Sequence, residues 1–132
     1  MATIRLLRKH EAQQVVDVLR KCFHSPTATA STVALCHSIV YVAEIDGKIV
    51  GTVSLTVTSE FAYIDDLAVL PTYQHQGIAT QLVQAALRIA DQNSAETYAV
   101  CANPYSAKIF QHLGFCNDGH GKFTKKTLDL LP

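Results

Sequence analysis

Residues 63–84 read YIDDLAVLPTYQHQGIATQLVQ, and this stretch decides the fold. It begins as an apolar strand with two adjacent acids, turns at Pro71, reaches Gly77 and continues with the spacing of an amphipathic helix. The first backbone N–H groups of a helix have no intrahelical partners, and the helix dipole favours negative charge beside them. We therefore interpret the loop at Gly77 as an anion site for the pyrophosphate of a nucleotide-bearing cofactor.

A single glycine before a helix is also ordinary punctuation between elements, so Gly77 alone does not establish a binding site. Two better-known phosphate loops are excluded by pattern. The sequence contains no GxxxxGK[ST], which argues against an ATP-hydrolysing P-loop, and no GxGxxG, which argues against a dinucleotide site of the Rossmann type.

Composition narrows the class of protein. The 132 residues suit a single domain, 1–132, and the 11 basic residues balance the 11 acidic ones, so we expect neither a nucleic acid nor a membrane as partner. No run approaches about 18 apolar residues and the first ten residues lack the apolar centre of a signal peptide, which predicts a cytoplasmic protein. The four cysteines and six histidines show no metal-ligand spacing, so no metal site is expected.

Strands and helices alternate along the chain. Apolar periodicity predicts strands at 3–8, 39–45, 48–57, 62–69 and 96–102, helices at 10–23, 26–37, 77–92 and 104–113, and a closing hairpin of 115–116 with 123–128. Asp46-Gly47 is typical of a two-residue hairpin turn, and Gly114 suits the end of a helix. This order predicts one α/β domain with a mixed central sheet of about six or seven strands and helices on both faces.

Two motifs resemble the GNAT N-acetyltransferase superfamily. Its central signature, [RQ]-x-x-G-x-[GA] after a strand, matches Gln74, Gly77 and Ala79 after the run LAVLP at 67–71. Its second signature, an asparagine followed by a helix that ends in Gly-Phe, matches residues 103–115. Both motifs stand in the family's order, and the resemblance covers essentially the whole chain.

The resemblance implies acetyl-CoA as co-substrate, in a sheet whose fourth and fifth strands splay apart to admit the pantetheine arm. It places the arm along Leu67, Ala68 and Val69, and the pyrophosphate on Gln74, His75, Gln76, Gly77, Ile78, Ala79 and Thr80. It also places Asn103, Ser106, Ile109 and Phe110 beside the pantetheine or its sulfur end. Many relatives carry arginine in the loop where this chain has Gln74 to Gln76, so backbone amides should supply most of the attraction for phosphate.

Asp65 and Asp66 are the candidate catalytic residues. An unpaired carboxylate in a helix-covered strand is costly, so function explains the two acids better than stability does, although either could instead cap a loop or form an ion pair. An alkyl ammonium ion must lose a proton before it attacks a thioester, and a carboxylate can accept that proton directly or through water. Asp65 is slightly favoured because strand alternation should place it on one face with Tyr63, Leu67 and Val69, unless a bulge intervenes.

Phe110 departs from the family pattern. Many relatives place a tyrosine there to protonate the leaving thiolate, and phenylalanine has no proton to give. Water or another group could serve, or the thiolate could leave unassisted; Tyr105, Tyr63 and Tyr73 are weaker candidates. Cys101 lies close to the expected thioester position, but core packing is the favoured interpretation for it.

The sequence thus predicts an N-acetyltransferase that moves an acetyl group by direct attack from acetyl-CoA to a primary amine of a small molecule or protein. The alternative is a non-catalytic acyl-CoA-binding module with the same fold, which Phe110 and the arginine-poor loop motivate. Residues 23–38 and 117–122 should border the acceptor pocket, and a homodimer is compatible with the family.

Overall fold

A seven-stranded mixed sheet organises the residues that the computed structural model describes, 1–23, 39–93, 96–100, 104–117 and 122–126. Its strands are β1 (Thr3–Leu6), β2 (Ile39–Ile45), β3 (Lys48–Val57), β4 (Phe61–Val69), β5 (Glu96–Val100), β6 (Cys116–Asn117) and β7 (Lys122–Lys126). They lie in the order β1-β2-β3-β4-β5-β7-β6, and β4 is antiparallel to β3 but parallel to β5. The predicted α/β class and mixed sheet are confirmed.

Three α-helices accompany the sheet in the described ranges: α1 (Ala12–Phe23), α2 (Ile78–Asn93) and α3 (Pro104–His112). The predicted first helix began two residues early, because Lys9–Glu11 forms a 3-10 turn before it. The first strand was predicted to reach residue 8 but ends at Leu6. The predicted helix at 26–37 and the last parts of the predicted strands at 96–102 and 123–128 lie outside the described residues.

The turn between β2 and β3 has the conformation that its sequence predicts. Asp46 and Gly47 both have positive φ, 50° and 79°, and Ile45 pairs with Lys48 across them. Positive φ at both central residues is the type I′ arrangement, which matches the right-handed twist of the two strands.

The two long helices pack on opposite faces of the sheet. A Cβ atom built on Gly51 would lie 3.2 Å from Leu82 Cδ1, so the side-chain direction of Gly51 in β3 points at α2. α1 packs against the other face of β3 and β4, where its Val18 lines a small cavity together with Ile49 and Leu70. Each helix buries one apolar stripe in the core, which on α2 consists of Ile78, Ala79, Leu82, Val83, Ala86, Leu87 and Ala90.

Gly51 allows α2 to approach the sheet closely at the carboxyl end of β4. A Cβ atom there would also come within 3.2 Å of the Ala68 carbonyl oxygen and of Val69 Cγ2. Contacts that short force their neighbours to move, and one of these neighbours is backbone. The spacing between α2 and the last residues of β4 therefore depends on the missing side chain.

Gly51→Ala should lower the free energy of unfolding by about 1–3 kcal/mol, because the added methyl overpacks this junction. Urea denaturation of the variant beside the wild-type chain measures the loss. Equal stability would mean that α2 and β4 can separate without cost, and would contradict the tight packing described here.

Candidate functional site

In the described part of the chain, β4 and β5 pair along only the first part of β4, and we call the region beside β4 beyond the last pair the cleft. Their parallel ladder runs from Phe61–Glu96 to Ile64–Ala99 and includes no later pair among the described residues. β4 nevertheless continues through Asp65 to Val69, where its pairs among the described residues are with β3. Within the described ranges, the carboxyl half of β4 therefore has a partner strand on one side, in agreement with the predicted splay between the fourth and fifth strands.

A β-bulge interrupts β4 at the start of this cleft. Asp65 pairs with Ser54 and Ala68 pairs with Thr52, so Asp66 and Leu67 together oppose the single residue Val53. Asp66 has a φ of 52°, in the left-handed region that few non-glycine residues adopt. The bulge therefore coincides with the point where β4 leaves β5.

The bulge corrects the predicted faces of β4. Regular alternation would place Asp65 with Leu67 and Val69, but the extra residue reverses the order beyond it. Asp65 instead shares a face with Ala68, since their partners on β3 lie two residues apart. Val69 lies opposite Gly51 on the face covered by α2. Of the three residues predicted to share the face of Asp65, Tyr63 does so and Val69 does not.

The backbone of Val69 is directed into the cleft. The Leu70 N–H donates to the Val50 carbonyl on β3 at 2.8 Å, so the groups of the preceding residue point away from β3. The Val69 carbonyl accordingly accepts bonds from two side chains, Gln74 Nε2 at 3.0 Å and Cys22 Sγ at 3.4 Å. Gln74 thus ties the following loop to the end of β4.

The loop after β4 delivers the N-terminus of α2 to the carboxyl end of the cleft. Gly77 has a φ of 83°, and its carbonyl accepts the helical bond from the Gln81 N–H at 3.1 Å. The amides of Ile78, Ala79 and Thr80 precede that bond and have no intrahelical partners. The first turn of α2 contains no acidic residue, so its positive partial charge is not offset there.

His75 connects this loop with α3. His75 is exposed, has a φ of 64°, and places its ring 5.4 Å from that of Tyr105 in an edge-to-face contact. Gln76 is exposed beside it. The two predicted motifs therefore meet in space at the mouth of the cleft, one through the loop before α2 and the other through the first turn of α3.

The Gly-Phe that closes the second motif ends α3 in a Schellman arrangement. The Phe115 N–H donates to the Phe110 carbonyl at 3.0 Å and the Gly114 N–H to the Gln111 carbonyl at 3.2 Å. The rings of Phe110 and Phe115 pack edge to face with centroids 5.2 Å apart. The motif is therefore explained in part by helix termination and core packing.

The predicted cofactor residues of α3 differ in exposure. Phe110 has no exposed surface, Ser106 is buried with 4% exposed, and Ile109 is half-buried. The ring of Phe110 belongs to the core, which accounts for an apolar residue at this position. Asn103 and Cys101 lie outside the described residues.

The two acids at the bulge occupy different environments. Asp65 is exposed, and its Oδ1 accepts a hydrogen bond from the Asp66 N–H at 2.7 Å. Asp66 is half-buried, and burial followed by the nearby charge of Asp65 raises the pKa of its carboxyl to about 6. A carboxyl with a pKa this close to neutrality can accept and release a proton under ordinary conditions.

Asp66→Asn should stabilise the protein at pH 7 to 8 and leave its stability at pH 4 nearly unchanged. The pKa of Asp66 is raised from 3.8 to about 6, so its stabilising contribution is full below about pH 4 and is lost as pH rises through about 6. Thermal unfolding of both chains at a series of pH values measures the difference. A variant less stable than wild type at pH 8 would contradict a raised pKa.

An aromatic cluster that was not predicted from the sequence lies beside Asp65 and Asp66. Phe61 and Tyr63 of β4 meet Tyr98 of β5, with the rings of the two tyrosines stacked at 5.4 Å and 28°. The Tyr98 hydroxyl donates to Glu96 Oε2, and this hydrogen bond raises the pKa of the tyrosine. Phe61 and Tyr63 stand two residues apart, which places both rings on one face of β4 and could have indicated the cluster. Their contact with Tyr98 depends on the register between β4 and β5, which cannot be predicted from the sequence.

None of the helices in the described ranges is long and apolar enough to cross a membrane. In the same part of the chain, no group of three or more His, Cys, Asp or Glu side chains is arranged to hold a metal ion.

The family follows from a comparison with known sequences. The model of the acetyltransferase (GNAT) family matches residues 12–115, which include the cleft, the loop at Gly77 and α3. The chain belongs to the GNAT acetyltransferase family. No curated protein matches this GNAT sequence significantly.

Solved structures share the same fold. A GNAT family N-acetyltransferase of Escherichia coli (YhbS), crystallised with CoA, has a TM-score of 0.81 at 20% identity over 97% of this chain and 82% of its own. A GNAT family acetyltransferase of Brucella melitensis, crystallised with acetyl-CoA, has a TM-score of 0.76 at 18% identity over 96% and 88%. A proposed acetyltransferase of Pyrococcus horikoshii has a TM-score of 0.80 at 16% identity over 89% of this chain, which spans 44% of that longer protein.

Proposed function

We propose that this GNAT protein transfers the acetyl group of acetyl-CoA to a primary amine. The observation that carries the proposal is the carboxyl half of β4, which pairs with β3 on one side and, among the described residues, with no strand on the other. It leads from the two acids to the N-terminus of α2, whose first turn contains no acidic residue. The backbone of β4 offers hydrogen-bonding groups to a pantetheine arm, and the N-terminus of α2 offers a site for its pyrophosphate. The family membership and the complexes of related structures with CoA and acetyl-CoA support it.

The chain's own residues suit the two halves of the ligand. The amides of Ile78 to Thr80 would hold the pyrophosphate, and the open edge of β4 near Val69 would hold the pantetheine. Gln74 is engaged with the Val69 carbonyl, so we assign it to shaping the loop, with His75 and Gln76 left at the surface. Acetyl-CoA would supply an acetyl group activated as a thioester.

Of the two acids, Asp66 is the better candidate for the proton acceptor. Its raised pKa of about 6 leaves it ionised at neutral pH yet basic enough to take a proton from an ammonium ion through water. Asp65 is exposed and its carboxylate is held by the backbone of Asp66, so it suits the attraction of a cationic acceptor. Sequence alternation slightly favoured Asp65 as the base, and the bulge removes the basis for that preference.

Gly77→Ala should weaken acetyl-CoA binding by roughly tenfold, because alanine is strained by about 1–2 kcal/mol at a φ of 83° and the loop would rearrange. Isothermal titration calorimetry measures the affinity. Gly47→Ala is the matched control, since Gly47 has a φ of 79° and both positions have open space for a Cβ atom.

Both glycine variants should lose similar stability, and Gly47→Ala should keep the wild-type affinity. If Gly77→Ala also bound acetyl-CoA with unchanged affinity, the assignment of this loop to the pyrophosphate would be wrong.

A primary amine panel with thiol detection tests the transfer itself. We expect release of free CoA with at least one amine, and a rate that rises with pH through about 6 as Asp66 ionises. Asp66→Asn should slow turnover by about 100-fold or more with little change in acetyl-CoA affinity, and should remove that pH limb.

The rival function predicts a different result from the same assay. A non-catalytic module would bind acetyl-CoA tightly and release no thiol with any amine. Phe110 motivates this rival because it lies in the core and offers no proton to the leaving thiolate.

A further inference from the structure

We propose that the aromatic cluster of Phe61, Tyr63 and Tyr98 binds the acceptor, and that the acceptor is a primary amine with an aromatic ring two or three carbons from its nitrogen. The inference rests on the proposed acetyl transfer and names the class of amine for it. Four observations carry it: the position of the cluster, its exposure, its order, and the charge beside it.

The cluster lies where an acceptor must approach. Tyr63 pairs with Tyr98 one step before the last pair of the β4–β5 ladder, so the two rings stand at the threshold of the cleft. The loop at Gly77 follows the opposite, carboxyl end of β4. A cofactor that enters from that loop therefore leaves the aromatic side open to the second substrate.

Tyr63 is an exposed aromatic residue on the sheet. It is 36% exposed, while Ala62 and Ile64 on either side are fully buried on the other face of β4. Met1 and Leu6 are the other large hydrophobic residues exposed in the described part of the chain, and both lie at or near β1. Exposed aromatic surface beside a cleft is more readily explained by ligand binding than by stability.

The cluster is ordered before any ligand arrives. Phe61 packs edge-on against Tyr63 at 4.9 Å and against Tyr98 at 6.2 Å, and the hydroxyl of Tyr98 is held by Glu96. Rings fixed in this way lose little conformational freedom when a flat group packs against them. The arrangement favours a rigid aromatic group over a flexible polar chain.

The charge beside the cluster sets the length of the acceptor. Asp65 follows Tyr63 by two residues on the same face, about 7 Å along the strand. Two or three carbons between a ring and a nitrogen span roughly this distance when the ring packs on Tyr63 and the ammonium group reaches Asp65. Glu96 accepts the hydrogen bond of the Tyr98 hydroxyl, and Asp65 and Asp66 are the carboxylates that follow Tyr63 along β4 towards the cleft.

Aromatic rings also favour a cation over an anion. The face of a tyrosine ring is negative and its edge positive, so ring–ring and ring–ammonium contacts are both attractive. An amino acid would bring a carboxylate close to Asp65, where like charges repel. A linear diamine would match the acids but leave the rings unused.

The experiment compares four acceptors: 2-phenylethylamine, 1,4-diaminobutane, ethanolamine and a lysine-containing peptide. Steady-state rates with acetyl-CoA should give the highest kcat/KM for 2-phenylethylamine. Tyr63→Ala and the bulkier Tyr63→Leu should raise its KM roughly tenfold, since a ring–ring contact and apolar burial are lost. Tyr63→Phe should keep the wild-type KM, and kcat and the affinity for acetyl-CoA should change little in all three.

Leu6→Ala is the matched control, because Leu6 is 55% exposed and lies three strands away on β1. It should leave the KM of every amine unchanged. A preference for the diamine, ethanolamine or the peptide, or an unchanged KM for 2-phenylethylamine in Tyr63→Ala, would overturn the proposal while leaving acetyl transfer intact.

Calorimetry separates this inference from the proposed function. Titration of 2-phenylethylamine into the protein with CoA present should give heat in the wild type and a weaker affinity in Tyr63→Leu. Failure of acetyl-CoA binding and of thiol release with every amine would reject the acetyl transfer. Absence of 2-phenylethylamine binding would reject the acceptor class.

Discussion

The cleft depends on the interruption of one ladder of backbone hydrogen bonds. One edge of β4 pairs with β3 along most of its length, but among the described residues β5 pairs with the other edge as far as Ile64 and Ala99. Beyond that point its other edge needs a partner, because an unpaired strand edge is a template for further hydrogen bonding. The Val69 carbonyl takes two side-chain donors instead, and the remaining edge is what an extended ligand can use.

The bulge combines this opening with the acids. It turns the backbone at Asp66 into the left-handed region and holds Asp65 against the Asp66 amide. It also leaves the Asp66 carboxyl half-buried with a pKa of about 6, so the ionised carboxylate lowers the free energy of unfolding at neutral pH. A residue that lowers stability in this way is characteristic of functional sites, where the chemistry of the side chain matters more than its contribution to folding.

Local patterns in the sequence predicted most of the fold and part of the site. Alternation and helical spacing predicted the strands and helices, because both patterns act over a few residues. The glycines at 47, 77 and 114 predicted where these elements end or turn, and all three have a positive φ. The bulge was not predicted, because two adjacent acids do not show how many residues will face Val53. The contact of Tyr63 with Tyr98 was not predicted for a similar reason. It depends on the register between β4 and β5, and the two residues are 35 positions apart in the sequence.

The change from antiparallel to parallel pairing at β4 has a consequence for assembly. β2, β3 and β4 follow one another through short connections, so their pairing closes small loops and can form early. β5 reaches β4 only after the 16-residue α2 has crossed the sheet, a more distant and slower closure. One wall of the cleft therefore belongs to a meander of local pairings, whereas the opposite wall depends on a long crossover connection. We expect the meander to form first, and a chain that has formed the meander alone lacks the second wall of the cleft.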